Sequence, residues 1–296
     1  MVLRFLKFLF IAVLLTLSFK STKAFSLSCC GSSPVNYYIP GDHQNLSFTL
    51  GYSNVHAVGR VFQDTTDFIK WTDKERLLDI LNFSVSYRIK DKLSLSLQNA
   101  YYSSNYKDSL QNRSDKNFGD TLLSINYEPD IYKKNSQLLK DSKVYTSALV
   151  NFPLWGLGVG LTVLKKIKSY DLNLQTKVLT LFSDQINSQL ISNYYDLSLS
   201  LVLSKSFSLF STHSPSWQIS TGLNWSYVSK RRRRGFEVVG ENLRALSNQK
   251  TATLFKLRKS FNDFNIIFSY SDETLIGRPR NTIINRTFLI NLTKNI

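Results

Sequence analysis

The side chains in this sequence best suited to chemistry are few: two adjacent cysteines, three histidines and a run of four arginines. Cys29 and Cys30 cannot by themselves supply the four ligands of a structural zinc. A disulfide between neighbours would be strained, because a trans peptide holds their Cα atoms only about 3.8 Å apart. Lipidation is the open alternative. Leu27-Ser28-Cys29 before Cys30 makes a tolerable lipobox, whereas Ser26-Leu27-Ser28 before Cys29 makes a poor one. His56 in "NVHAVGR" and His213 in "STHSPS" have serines nearby. A hydrolase needs a serine activated by a histidine that a third polar group orients. Neither stretch has the His-Ser-Asn pattern expected of an outer-membrane lipid hydrolase, so no catalytic residue is assigned. His43 completes the set, and no pair stands at ligand spacing, so no metal or cofactor site is expected.

Arg231, Arg232, Arg233 and Arg234 carry the densest positive charge. Guanidinium groups pair well with phosphate, so this cluster would suit lipopolysaccharide or draw anions. A solvated loop is the plainer alternative. Lys165, Lys166, Lys168, Lys177, Lys256, Arg258 and Lys259 lie in or near apparent strands. Facing a pore they would bias it towards anions; facing outward they would snorkel at a membrane edge. Asp171, Asp196 and Glu128 are the acids placed to pair with some of them.

What positions these groups is legible in the patterning. Residues 1–24 read as an export signal: Arg4 and Lys7 lead into the apolar "FLFIAVLLTLSF", and Thr22 and Ala24 suit cleavage. The apolar run is short for a membrane-spanning helix. The whole chain carries a formal net charge of +16. For an exported protein, anionic lipid or polysaccharide is the natural partner of such charge. No nucleic-acid motif is present, and two cysteines exclude a disulfide scaffold.

Beyond residue 44 the chain alternates with period two. In "YYDLSLSLVLSKSF", Tyr195, Leu197, Leu199, Leu201 and Leu203 share one face; Asp196, Ser198, Ser200 and Ser204 share the other, with Val202 as the exception. Leu81, Phe83, Val85, Tyr87 and Ile89 repeat the pattern, as do Trp217, Ile219, Leu223, Trp225 and Tyr227, and Leu46, Phe48, Leu50 and Tyr52. Such alternation is the mark of strands with one apolar and one polar face. Many of these strands have the length needed to cross a bilayer, longer than the ordinary strands of a sandwich. Aromatics gather at their ends, where interfacial girdles belong. The expected fold is therefore all-β: a transmembrane antiparallel up-and-down barrel of about twelve strands, with ten to fourteen as the bounds. Residues 25–44 form a periplasmic segment and 45–296 the barrel. Connections alternate between short periplasmic turns and long external loops, with 105–118 read as long and 129–142 as the exception.

"CCG" before "PGD", "NFGDTLLSINY", "YYDLSLSLVLSKSF" and the closing "NTIINRTFLINLTKNI" together resemble the bacterial outer-membrane barrels grouped with MetA-pathway phenol degradation or as transporter-like proteins. The chain departs from that pattern in its sparse glycines and in ending on Ile296 rather than an aromatic. The resemblance implies passage of small, often apolar molecules and no catalytic residue. The function expected is a passive channel with a polar lumen in the outer membrane of a Gram-negative bacterium. Its partners would be lipid, lipopolysaccharide, the barrel-assembly machinery and a small solute, and no nucleic acid. A closed barrel with a structural or surface-binding role is the alternative, and an outer-membrane lipid hydrolase the third.

Overall fold

A computed structural model describes residues 45–61, 68–72, 75–107, 112–119, 121–129, 142–152, 156–182, 184–186, 189–191, 194–208, 217–229, 232–233, 236–237, 247–261, 263–276, 279–280 and 282–296. The expected signal (1–24), the periplasmic segment, and with them Cys29, Cys30 and His43 lie outside the described residues.

Alternating side chains let each segment satisfy its backbone by pairing laterally while keeping one face apolar. Twelve strands form the wall: β1 (Leu46–Val61), β2 (Glu75–Lys90), β3 (Leu93–Lys107), β4 (Asn112–Phe118 continued by Thr121–Tyr127), β5 (Ser142–Phe152), β6 (Gly156–Ile167), β7 (Tyr170–Leu181), β8 (Tyr194–Phe207), β9 (Trp217–Val228), β10 (Asn248–Ser260), β11 (Phe264–Asp272) and β12 (Thr282–Asn295). Each pairs antiparallel with the next, and β12 pairs back with β1 from Ser47–Asn295 to Val61–Thr282. The ring is closed, with no free edge in the wall. Leu46 and Ile296 exchange backbone hydrogen bonds at its base, so both chain ends leave from one rim.

The connection expected across 105–118 is much shorter. β3 continues to Lys107 and pairs with the first part of β4 down to Asn112. The polar residues 105–107 and 112–115 read as loop, but they stand in strands at the rim opposite Leu46 and Ile296. β4 is interrupted at Gly119, whose N–H donates to the Ala100 carbonyl. The Tyr102 ring occupies the place where a Cβ on Gly119 would stand, so only glycine fits there.

At the base, Lys168 and Ser169 form a two-residue turn between the paired Ile167 and Tyr170, and Lys168 takes φ 54°. Two-residue hairpins favour such left-handed residues because they match the twist of the strands. At the far rim, Phe68–Lys70 adds to the end of β1. Asp184–Ile186, Gln189–Ile191, Arg232–Arg233 and Phe236–Glu237 form a separate four-stranded sheet from the β7–β8 and β9–β10 connections.

Candidate functional site: the barrel interior

Strand register fixes which side chains share the interior. On β1 the inward set is Ser47, Thr49, Gly51, Ser53, Val55, Ala57, Gly59 and Val61, matched on β2 by Ser86, Ser84, Asn82, Ile80 and Leu78. The outward set includes Leu50 and Tyr52 on β1, Leu81 on β2, and elsewhere Ile125, Val159, Val178, Leu199, Leu201, Ile219, Phe255, Phe268 and Ile290, all exposed. An apolar exterior of this kind is stable facing lipid and costly facing water. Aromatics border it. At the base Trp217 takes the Lys259 ammonium over its ring at 4.7 Å, and Phe261 stacks on Phe264. Towards the far rim the Tyr52 hydroxyl donates to Asp79 (2.6 Å), and Tyr270 donates to Asp272, which also accepts from Arg286 (3.0 Å). Lys165 and Lys259 thus belong to the outer face; Lys166, Lys177, Lys256 and Arg258 belong to the inner one.

The interior is not uniformly polar, which corrects the expected polar lumen. Its basal half is hydroxyl- and amide-lined: Ser86 bonds Ser96 (2.8 Å), Ser147 donates to Asn126 (2.6 Å), Ser204 bonds Ser220 (2.9 Å) and Thr49 bonds Thr293 (2.9 Å). Its far half carries two apolar clusters beside the buried ion pairs Lys177–Asp196 and Lys250–Glu273. Val55, Leu78, Ile80, Ala100 and Tyr102 form one buried cluster; Leu122, Leu149, Leu179, Leu181, Tyr194 and Val228 form a second. Leu254 and Ile284 add to this lining from β10 and β12. Above Tyr52 the outward residues of β1 are Asn54, His56, Val58 and Arg60. On this strand polar residues largely take the outer face, and the apolar Val55, Ala57 and Val61 turn inward as in a soluble barrel. A single alternation carried along each strand does not show this exchange of faces. The runs Val55-Ala57 and Leu78-Ile80, one step out of phase with their neighbours, were the available signal.

Charge inside the barrel is partly paired. The Lys177 ammonium meets Asp196 at 3.2 Å, and Lys250 meets Glu273 at 3.1 Å; all four groups are nearly sealed from solvent. Glu273 also accepts from the Asn285 backbone N–H at 2.9 Å. Lys166 lies opposite Asp171 across β6 and β7. Arg258 donates twice to Asn265 Oδ1, at 2.9 and 3.2 Å. Lys256 stands between Ser220 and Ser269 on the inner face and has no hydrogen-bond or ion-pair partner among the described residues. The basal interior therefore carries uncompensated positive charge.

The other sequence candidates are not brought to this interior. Arg232 and Arg233 form a two-residue strand in the small sheet, paired through Arg233 with Ile191 and Phe236. Their side chains, with Arg231, Arg234, Cys30 and His213, lie outside what is described. His56 is on the outer face of β1, opposite Leu77 and Arg286. Among the described residues, no three His, Cys, Asp or Glu side chains gather as metal ligands.

No family model matches the chain, and no curated protein matches it. Solved structures do resemble it. An outer-membrane channel from Pseudomonas putida F1 superposes with a TM-score of 0.61 at 10% identity, covering 88% of this chain and 100% of that one. The translocator domain of the autotransporter NalP from Neisseria meningitidis gives 0.50 at 9% identity, covering 90% and 92%. The transport unit of the autotransporter AIDA-I from Escherichia coli gives 0.50 at 7%, covering 89% and 94%. At these identities the likeness is one of fold.

Proposed function

We propose that this chain is an outer-membrane channel of a Gram-negative bacterium, passing small molecules down their gradient. The observation that carries this reading is the two-tier interior inside a closed wall whose outer face is apolar. A hydroxyl-lined, net-positive basal half leads into a far half that carries two buried apolar clusters. A purely structural barrel has no need of unpaired positive charge on its inner face. The apolar clusters favour solutes with apolar surface, since desolvating such a solute against leucine and valine is favourable. The fold shared with an outer-membrane channel supports the reading. The motifs "CCG" and "NFGDTLLSINY" support membership in the family grouped with MetA-pathway phenol degradation.

The remaining assignments belong to the same proposal. Residues 1–24 direct export and are removed, 25–44 lie in the periplasm, and 45–296 are inserted by the barrel-assembly machinery. Arg231 to Arg234 contact lipopolysaccharide phosphates; lipidation at Cys30 is the alternative to cleavage after Ala24. Catalysis has no part in this reading.

The decisive experiment is solute flux. Full-length protein refolded into proteoliposomes should pass small uncharged solutes and show stepwise current in a planar bilayer. Absence of both would sink the channel reading. It would leave the alternative of a closed structural barrel, which the burial of the far-half leucines favours.

A further inference from the structure

Across four consecutive strands of the wall, one inner rung is built entirely from uncharged polar residues. Thr162 on β6 pairs with Gln175 on β7, Gln175 with Ser200 on β8, and Ser200 with Asn224 on β9. Asn173 stands one inner position along β7 towards the base. Thr162 is 0% exposed, and Gln175 and Asn224 are each 8% exposed. Yet Thr162 Oγ1, Gln175 Oε1, Ser200 Oγ, Asn173 Oδ1 and both Asn224 side-chain atoms (Nδ2 and Oδ1) are buried with no hydrogen-bond partner among the described residues.

Buried polar atoms are nearly always paired, and each exception calls for a cause. Leaving one unpaired costs more than its hydrogen bond contributes when made. A concentration of such atoms on adjacent strands of one face marks a place where the wall itself does not supply the partners and water or a ligand does. The basal interior shows that the same chemistry can be satisfied within the wall: Ser204 with Ser220, and Ser147 with Asn126, meet across strands. The rung from Thr162 to Asn224 offers acceptors and donors without using them on each other.

We propose that this rung is the solute-binding site of the channel, and that its ligand is an uncharged small molecule carrying hydroxyl groups. The inference rests on the channel reading. A hydroxyl both donates and accepts, which matches amide oxygens, an amide N–H and two hydroxyls set side by side. A charged solute finds no counter-charge here: the nearest ionic groups on these strands, Lys177 and Asp196, are committed to each other. Leu179, Leu181, Tyr194 and Val228 of the apolar cluster stand further along β7, β8 and β9. A ligand's carbon skeleton lies towards them while its hydroxyls engage the rung.

The test uses full-length protein and two uncharged or zwitterionic probes of similar size: arabinose, rich in hydroxyls, and trimethylglycine, which has none. Two readouts are taken on wild type, Gln175→Leu, Asn224→Leu and the smaller Ser200→Ala and Thr162→Val. Thermal unfolding in detergent at low millimolar probe should rise with arabinose and not with trimethylglycine, and the rise should vanish in the variants. Proteoliposome flux of arabinose should fall at least fivefold in the leucine variants with trimethylglycine flux unchanged. Folding is not expected to fail, because each leucine removes an unpartnered group. Flux of both probes with no arabinose-dependent shift, and no change in the variants, overturns the rung as a site while keeping the channel. A shift lost in the variants without any flux keeps the site and overturns the channel.

Discussion

Lys177 and Asp196 face each other across β7 and β8 inside the barrel, Nζ to Oδ2 at 3.2 Å, with side-chain exposures of 7% and 11%. Removing one partner of such a pair strands the other charge. Asp196→Ala should cost about 3–5 kcal/mol, whereas Lys177→Met combined with Asp196→Leu should be close to neutral. Urea unfolding of the refolded barrel, followed by tryptophan fluorescence, measures both. Equal losses in the single and double variants would show that the pair is not a unit.

Lys256 supplies a second prediction. It faces inward between Ser220 and Ser269 with no charged partner among the described residues. Lys256→Glu should turn anion preference towards cations, read as a change in sign or a large shift of the reversal potential under a salt gradient. Lys259→Glu is the control. Its ammonium lies over the outer Trp217 ring, so this variant should leave the reversal potential where it was.

The two faces of β8 can be separated by placing the same charge on each. Leu199 is 40% exposed on the outer face, and Leu199→Arg near the middle of the bilayer should cost about 2–4 kcal/mol. Ser198→Arg, one residue away on the inner face, should cost clearly less. Folding yield into lipid vesicles, seen as heat-modifiable migration on a gel, reports the difference.

The turn at Lys168 gives a smaller effect. A lysine at φ 54° pays the left-handed penalty of about 1–2 kcal/mol that glycine avoids. Lys168→Gly should raise stability by about 1 kcal/mol in the same urea assay, and Lys168→Val should lower it.

Much of the wall was legible because lipid imposes a simple rule on strands. "YYDLSLSLVLSKSF" and "WQISTGLNWSY" alternate with few exceptions, Val202 among them, so both their existence and their outward faces followed directly. The rule fails where its cause fails. Past Tyr52 the outer face of β1 turns polar at Asn54, His56 and Arg60, and Val55 turns inward against Leu78 and Ile80; single-strand alternation cannot reveal such an exchange of faces. The continuation of β3 through Lys107 was hidden for the same reason, since a polar segment beyond the membrane has no apolar face to betray it. The rung from Thr162 to Asn224 was invisible for another cause. Its members are ordinary lumen residues in sequence, and only cross-strand register brings them side by side.

The seam between β1 and β12 has a kinetic consequence. Thr49 and Thr293, hydrogen-bonded at 2.9 Å, are separated by 244 positions in the chain. Contacts of such long range form slowly, because the intervening chain must be ordered before they return any energy. Until β12 arrives, β1 keeps an exposed edge of unpaired backbone, a template for joining other chains. The closing strand is also the last part of this chain to be synthesised. Every nascent molecule therefore passes through an open-edged, aggregation-prone stage, and protection of that edge until closure is a requirement of the topology itself.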